Sequence, residues 1–222
     1  MAKTETPGTG KSDTFLVPGF KFIIQYSIIL YYQLSTINYQ LSTINYQLLI
    51  MNLQPILENE NVKLSPLDQN DFEELFSVAS DPLVWEQHPN KDRYKREVFG
   101  NFFQGAMESG GSFKIIEKES NEIVGSTRFY DYNPEDNSIF IGYTFYGTKF
   151  WGSKLNPQVK KLMLDYIFQF VDQVNFHVGK DNIRSQKAME KLGAKKTNEV
   201  NVAYAYEPER LNVVFEIKKE NY

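Results

Sequence analysis

Three stretches of the chain hold residue types at spacings that can do chemistry. The first is Phe145-Tyr146-Gly147-Thr148-Lys149-Phe150-Trp151-Gly152-Ser153-Lys154-Leu155-Asn156. An aromatic, β-prone segment ends at Gly147 and a short polar loop follows. Val159, Leu162, Met163, Tyr166, Ile167 and Phe170 then recur at helical spacing. Such a strand-loop-helix junction leaves about four backbone N–H groups unpaired at the helix start, where the helix dipole adds partial positive charge. It is an anion site, suited to a phosphate or pyrophosphate. The second stretch is Asn182-Ile183-Arg184-Ser185, where Asn182 reads as a helix N-cap and Ser185 falls in the first turn. The third is Tyr143-Thr144-Phe145, in a strand whose Gly142 marks a bulge or a close backbone approach. Tyr143 reads as a core aromatic whose hydroxyl is also a candidate proton donor.

Composition removes several alternatives. The 222 residues carry a net charge of −4, which argues against a broad nucleic-acid surface and leans toward a cationic acceptor. The chain has no cysteine, which excludes disulfides, thiol catalysis and cysteine metal sites. Its two histidines, His88 and His177, are far apart without ligand spacing, so no zinc site is expected. Glu86 and His88 lie in a compact turn over 83–89, read either as a solvated loop or as the border of an acceptor site. His177 reads as a sheet-face residue, Asp131 as a turn residue and Trp151 as a packing anchor.

The positioning elements follow from hydrophobic periodicity. A strand is expected over 61–67, with an N-cap signal at 68–70 and an amphipathic helix carrying Phe72, Leu75, Phe76 and Ala79. A second helix carries Val98, Phe102, Phe103 and Ala106 and stops at Gly110-Gly111. An antiparallel meander follows over 113–117, 123–130 and 138–146. The long helix is expected over 157–173, with Pro157 in its first turn. A strand over 174–178 closes a parallel crossover. A helix capped by Asn182 ends at Lys191-Leu192-Gly193, and two strands, 199–206 and 212–218, finish the chain.

The first fifty residues read differently. Tyr32-Gln33-Leu34-Ser35-Thr36-Ile37-Asn38 recurs unchanged at 39–45, and a third copy begins at Tyr46. The flanking charges of a coiled coil are missing. The segment is expected to be an unstructured extension or the product of a start codon assigned too far upstream, leaving residues 51–222 as one domain. The apolar run 20–32 contains Lys21 and Gln25 and is shorter than the roughly 20 residues of a membrane span. No signal cleavage site is evident, and a cytoplasmic location is expected. Gly8-Thr9-Gly10-Lys11-Ser12 imitates a P-loop, but Glu5 stands where the first glycine belongs.

The element order, with Lys149-Phe150-Trp151-Gly152 before the long helix and Asn182-Ile183-Arg184-Ser185-Gln186-Lys187-Ala188 leading to Lys191-Leu192-Gly193-Ala194, resembles the GNAT acetyltransferase superfamily from about Met51 onward. It is most similar to the branch of the RimJ/RimL ribosomal-protein acetyltransferases. The resemblance implies an α/β (α+β) fold with a mixed, mostly antiparallel sheet whose central strands splay apart around acetyl-CoA. It implies that Tyr143, Thr144, Phe145, Lys149, Gly152, Ser153, Lys154, Leu155, Asn156, Asn182 and Ser185 hold that cosubstrate, with Tyr143, Ser185 and Glu86 as catalytic candidates. The acceptor is then a primary amine on a protein N-terminus, a lysine or a small molecule, with no nucleic-acid or membrane partner and a monomeric or homodimeric chain. The pattern departs from the family at three places. Lys154 replaces a small residue in the phosphate loop, Met189 stands where many members carry a tyrosine, and Phe140 stands where relatives often carry a glutamate. These departures motivate the alternative of a CoA-binding or ligand-binding protein with impaired catalysis.

Overall fold

The computed structural model describes the backbone of residues 18–203 and 208–222, and the side chains of 26–42, 51–203 and 208–222. The Gly8–Ser12 stretch and the end of the strand expected to reach 206 lie outside the described residues. The chain divides into two units, Met1–Leu49 and Ile50–Tyr222.

In the first unit the backbone of the repeat region lies in a helix, α1 (Pro18–Ile50). Weak propensities for Tyr, Ser, Thr and Asn are outweighed by an uninterrupted run without Gly or Pro after Gly19. Hydroxyls of the repeat fold back onto the helix itself, as Thr36 Oγ1 does on the Tyr32 carbonyl at 2.8 Å. The described side chains of α1 are exposed. No described helix is long and apolar enough to cross a membrane.

The second unit is built on a sheet ordered β1-β2-β3-β4-β5-β6-β8-β7. Its strands are β1 (Leu57–Glu58), β2 (Val62–Pro66), β3 (Ser112–Glu117), β4 (Glu122–Asn133), β5 (Ser138–Tyr146), β6 (Gln173–Gly179), β7 (Lys195–Val202) and β8 (Arg210–Lys218). Between them run α2 (Phe72–Ala79), α3 (Arg96–Glu108), α4 (Leu155–Ile167) and α5 (Ile183–Lys191). All pairings are antiparallel except β5 with β6. Asp68 opens the first helical segment with a capping box to Asp71. Two expectations shift. The long helix stops at Ile167 rather than near 173, and β7 begins at Lys195 rather than 199.

Two features of the sheet create the site. First, β5 and β6 pair only over Ser138–Phe140 against Gln173–Asn175, so the rest of each strand diverges into a V. Second, β5 carries a bulge, with Arg128 opposite Gly142 and Ser126 opposite Phe145. Tyr143 and Thr144 therefore share the single partner Thr127. The left-handed φ of +53° falls on Tyr143, not on the neighbouring Gly142.

The extra residue reverses the alternation of side chains along β5. Before it, Ile139 and Ile141 pack with Val159, Met163 and Ile167 of α4. After it, Phe145 turns to the opposite core, with Phe99 and Phe102 of α3 and Trp85. Thr144 and Tyr146 are left on the α4 face, where Tyr146 packs beside that core.

Candidate functional site

A cleft of about 660 Å³ opens where β5 and β6 separate. Its floor is Thr144, Phe145 and Tyr146; one wall is Phe150 to Ser153 with Asn156 and Lys160 of α4, the other is α5 and its cap Asn182. A smaller cavity of about 100 Å³ lies beyond and shares Trp85, His88, Thr144, Asn182 and Ser185 with it. Tyr143, His177, Met189 and Asn212 line this second space.

The loop before α4 turns at Gly152, whose φ of +76° favours glycine. A Cβ at Gly152 would meet nothing within 4 Å, so the residue serves the turn rather than a tight approach within the chain. Ser153 donates its backbone N–H to the Phe150 carbonyl at 3.2 Å, which removes it from the anion-binding set. Lys154 is the N-cap of α4 and makes no side-chain cap bond. Pro157 has no N–H, so the Leu155 and Asn156 N–H groups, without a side-chain cap from Lys154, are the first-turn donors left for an anion.

The charge of the cleft is one-sided. Lys160, Arg184, Lys187 and Lys191 line it, and no Asp or Glu does among the described residues. Positions 184, 187 and 191 follow helical spacing and place three of these cations on one face of α5. A protein of net charge −4 thereby presents a cationic groove, which matches a polyphosphorylated ligand. Arg184 stacks on Trp151 with Cζ 3.9 Å from the ring centroid. Its backbone N–H donates to Gln87 Oε1 at 3.1 Å. Burial lowers the Arg184 pKa, while nearby Glu86 opposes that shift. Two buried oxygens beside the cleft, Tyr146 OH and Asn156 Oδ1, have no partner among the described residues. Unpaired polar groups of this kind fit a ligand rich in amides and phosphates better than an apolar one.

Several sequence-predicted residues meet here. Thr144, Phe145, Gly152, Ser153, Asn156, Asn182 and Ser185 line the cleft, and Tyr143 lines the inner cavity. Asn182 caps α5, its Oδ1 accepting the Ser185 N–H at 3.1 Å. Tyr143 is held by Arg128, whose guanidinium lies 3.7 Å from the ring centroid. Four predicted residues lie elsewhere. Lys149 turns to Glu122 in an exposed ion pair. Lys154 is exposed and lines neither cavity. Leu155 is buried in the core beneath α4. Glu86 is exposed and lines neither cavity, although Trp85 and Gln87 on either side of it do line the cleft.

His88 was expected in a solvated loop or at the border of an acceptor site; it lines both cavities. Burial, reinforced by Arg93 3.1 Å from its Nε2, holds its pKa well below the usual histidine value. His177 on β6 lies against Phe140, ring centroids 4.3 Å apart, and burial takes its pKa down to about 4. Both imidazoles are neutral at pH 7 and fit acceptors rather than charged donors.

Lys160 is the site residue that the periodicity did not single out. It is 3% exposed, donates to Thr144 Oγ1 at 2.7 Å and to Thr127 Oγ1 at 3.3 Å, and burial takes its pKa down to about 7. In the sequence it is one of two adjacent lysines, Lys160 and Lys161, on an amphipathic helix. Only the parity change at the bulge puts hydroxyls opposite it.

Comparison with known proteins bears on this geometry. The profile of the acetyltransferase (GNAT) domain family matches residues 61–195. No curated protein matches the chain. Among solved structures, a GCN5-related N-acetyltransferase from Brucella melitensis superposes with a TM-score of 0.67 at 19% identity, over 76% of this chain and 80% of that one. A GNAT-family acetyltransferase from Bacillus anthracis gives 0.61 at 20% identity, over 75% and 99%. RimJ from Mycobacterium smegmatis, in complex with CoA-disulfide, gives 0.58 at 16% identity, over 75% and 87%.

Proposed function

The chain belongs to the acetyltransferase (GNAT) domain family, and on that premise we propose that it moves an acetyl group from acetyl-CoA to a primary amine. One observation carries the reading. A cleft lined by Arg184, Lys187 and Lys191 and by no described carboxylate runs from an uncapped helix start to the bulged edge of β5. The first-turn N–H groups of α4, with Arg184, Lys187 and Lys191, would hold the diphosphate and the 3′-phosphate of coenzyme A. The pantetheine arm would lie along β5 toward Thr144.

Acetyl transfer has three needs, and residues of this chain can meet them. The thioester oxygen needs donors where charge develops, and the β5 edge at Tyr143 to Phe145 offers backbone N–H groups. The departing thiolate benefits from a proton, for which Tyr143 and Ser185 are the candidates beside the inner cavity. The acceptor amine must be unprotonated, and a lysine-like amine has a pKa of about 10.4. The neutral His88 and His177 flank the inner cavity, where an amine would arrive. A protein N-terminus, a lysine side chain or a small amine fits this chemistry. An acetyl-CoA pool is required, which agrees with a cytoplasmic site of action.

Phe140 and Met189 favour a second reading, a GNAT-fold protein that binds CoA without turnover. Phe140 packs on His177, and Met189 lines the inner cavity, so neither position offers a proton. Calorimetry with CoA and acetyl-CoA, followed by an acetylation assay over a panel of peptides and small amines, separates the two. Micromolar binding with transfer to at least one acceptor supports the first. Binding without transfer to any favours the second, and absence of binding removes both.

A further inference from the structure

The groups assigned above leave Lys160 unused, and its burial is costly enough to need a reason. A charged amine away from water is strongly disfavoured unless paired. Among the described residues no charged partner acts on Lys160, and no carboxylate lines its cleft. A methionine there would carry no such penalty.

What Lys160 touches is the bulge. Its Nζ reaches Thr144 Oγ1 at 2.7 Å and Thr127 Oγ1 at 3.3 Å, and the two hydroxyls are 2.8 Å apart. Thr127 is the one β4 residue facing both bulge positions, Tyr143 and Thr144. One ammonium therefore ties the two strands together where the extra residue is inserted. That link holds Tyr143 in its left-handed conformation, turned to the inner cavity. It also fixes a positive charge behind the β5 edge that faces the cleft. A preorganised charge in a water-poor setting acts strongly on charge developing nearby.

We propose that Lys160 is a positioning residue for acetyl transfer: acting through Thr144 and Thr127, its ammonium sets the β5 bulge and supplies a positive field behind the N–H donors of that strand. The proposal rests on the acetyl-CoA reading above. The groups around Lys160 give it a pH signature. Tyr146 on β5 stays protonated because burial raises its pKa. His88 is neutral, Thr127 and Thr144 do not titrate, and Arg184, Lys187 and Lys191 from α5 are cations. No described carboxylate lining the cleft counters the loss of the Lys160 proton. The rate rises as the acceptor amine loses its proton and falls, above neutrality, as Lys160 loses its own.

The test compares wild type with Lys160→Met, Lys160→Arg and Thr144→Val. CoA affinity is read by calorimetry, kcat over pH 6–10, and amide hydrogen exchange over residues 141–146. Lys160→Met is expected to bind CoA within about threefold of wild type, to lose about 10–100-fold in kcat, and to lack the falling limb. Lys160→Arg should recover part of kcat, also without that limb, because guanidinium stays charged. Amides of 143–145 should exchange faster in the Met and Val variants.

Wild-type kcat, a retained falling limb or unchanged exchange in Lys160→Met overturns the proposal. If Lys160→Met does not fold, Thr144→Val must show the loss of kcat and the faster exchange, or the proposal falls. If wild type acetylates nothing, the function proposed above is wrong, and the exchange data still decide whether Lys160 sets the bulge.

Discussion

Arg184 lies across the face of Trp151, its guanidinium carbon 3.9 Å from the ring centroid, and so joins the loop before α4 to the first turn of α5. Its backbone also engages Gln87, and its Nη2 reaches the Val84 carbonyl at 3.5 Å. One side chain thus links three segments around the mouth of the cleft. Arg184→Ala should weaken CoA binding about tenfold, since a partly desolvated cation–π contact and a phosphate-facing charge are lost together. Arg184→Lys should recover little, because an ammonium does not stack. Calorimetry on both variants checks this; full recovery by lysine would contradict the stacked geometry.

Lys187 and Lys191 contribute charge rather than packing. The double change to glutamine should lower CoA affinity by about 5–20-fold at low ionic strength and by less at 0.5 M salt, because exposed charges are screened over roughly 10 Å at 0.1 M. Titrations at two salt concentrations distinguish this from a packing loss, which would not depend on salt.

Lys160 ties stability to pH in a definite direction. Its folded pKa of about 7 lies below an unfolded value of about 10.4. Between those values the unfolded chain binds more protons, so the Lys160 contribution to stability rises with pH across that window. Below pH 7 the full cost of burying charge is present. Lys160→Met should therefore stabilise the fold by on the order of a few kcal/mol at pH 6.5, with the gain shrinking toward pH 10. Urea unfolding at the two pH values reads the difference; a pH-independent effect would mean that the amine is not buried as a charge.

Asn182 caps α5 and lines both cavities. Asn182→Ala should cost about 1 kcal/mol of stability through the lost cap. Asn182→Asp keeps the capping oxygen, so it should keep that stability while placing an anion in a cationic cleft and weakening CoA binding. Thermal unfolding and calorimetry on the pair separate the two roles.

The parts of this site written in local sequence were legible and the parts made by packing were not. Asn182, Gly152 and the 145–156 junction carry their roles in neighbouring residues, because caps, left-handed turns and helix starts are local events. The strands of the meander and the parallel crossover followed from alternation and the helix between them. Lys160 was invisible because its burial depends on which face of β5 Thr144 takes, and one inserted residue decides that. Glu86 and His88 are two positions apart, yet one is exposed and the other half-buried against both cavities. Nothing local distinguishes them until Arg93 and Trp85 pack beside the histidine. The cationic face of α5 went unread for a related reason. Arg184, Lys187 and Lys191 look like a solvated helix surface until the V between β5 and β6 gives them something to face.

The brevity of the β5–β6 pairing has a mechanical meaning. Among the described residues, three paired positions, Ser138 to Phe140 against Gln173 to Asn175, and the flanking bond from the Asp172 N–H to the Asn137 carbonyl at 2.9 Å join β1–β5 to β6–β8 along the sheet. The buried core does the rest of the joining, since Val62, Phe113 and Ile141 of one half share a single cluster with Phe176, Val213 and Phe215 of the other. A ligand bridging the open part of the V would add to that joint, and it should slow amide exchange along the facing edges of β5 and β6.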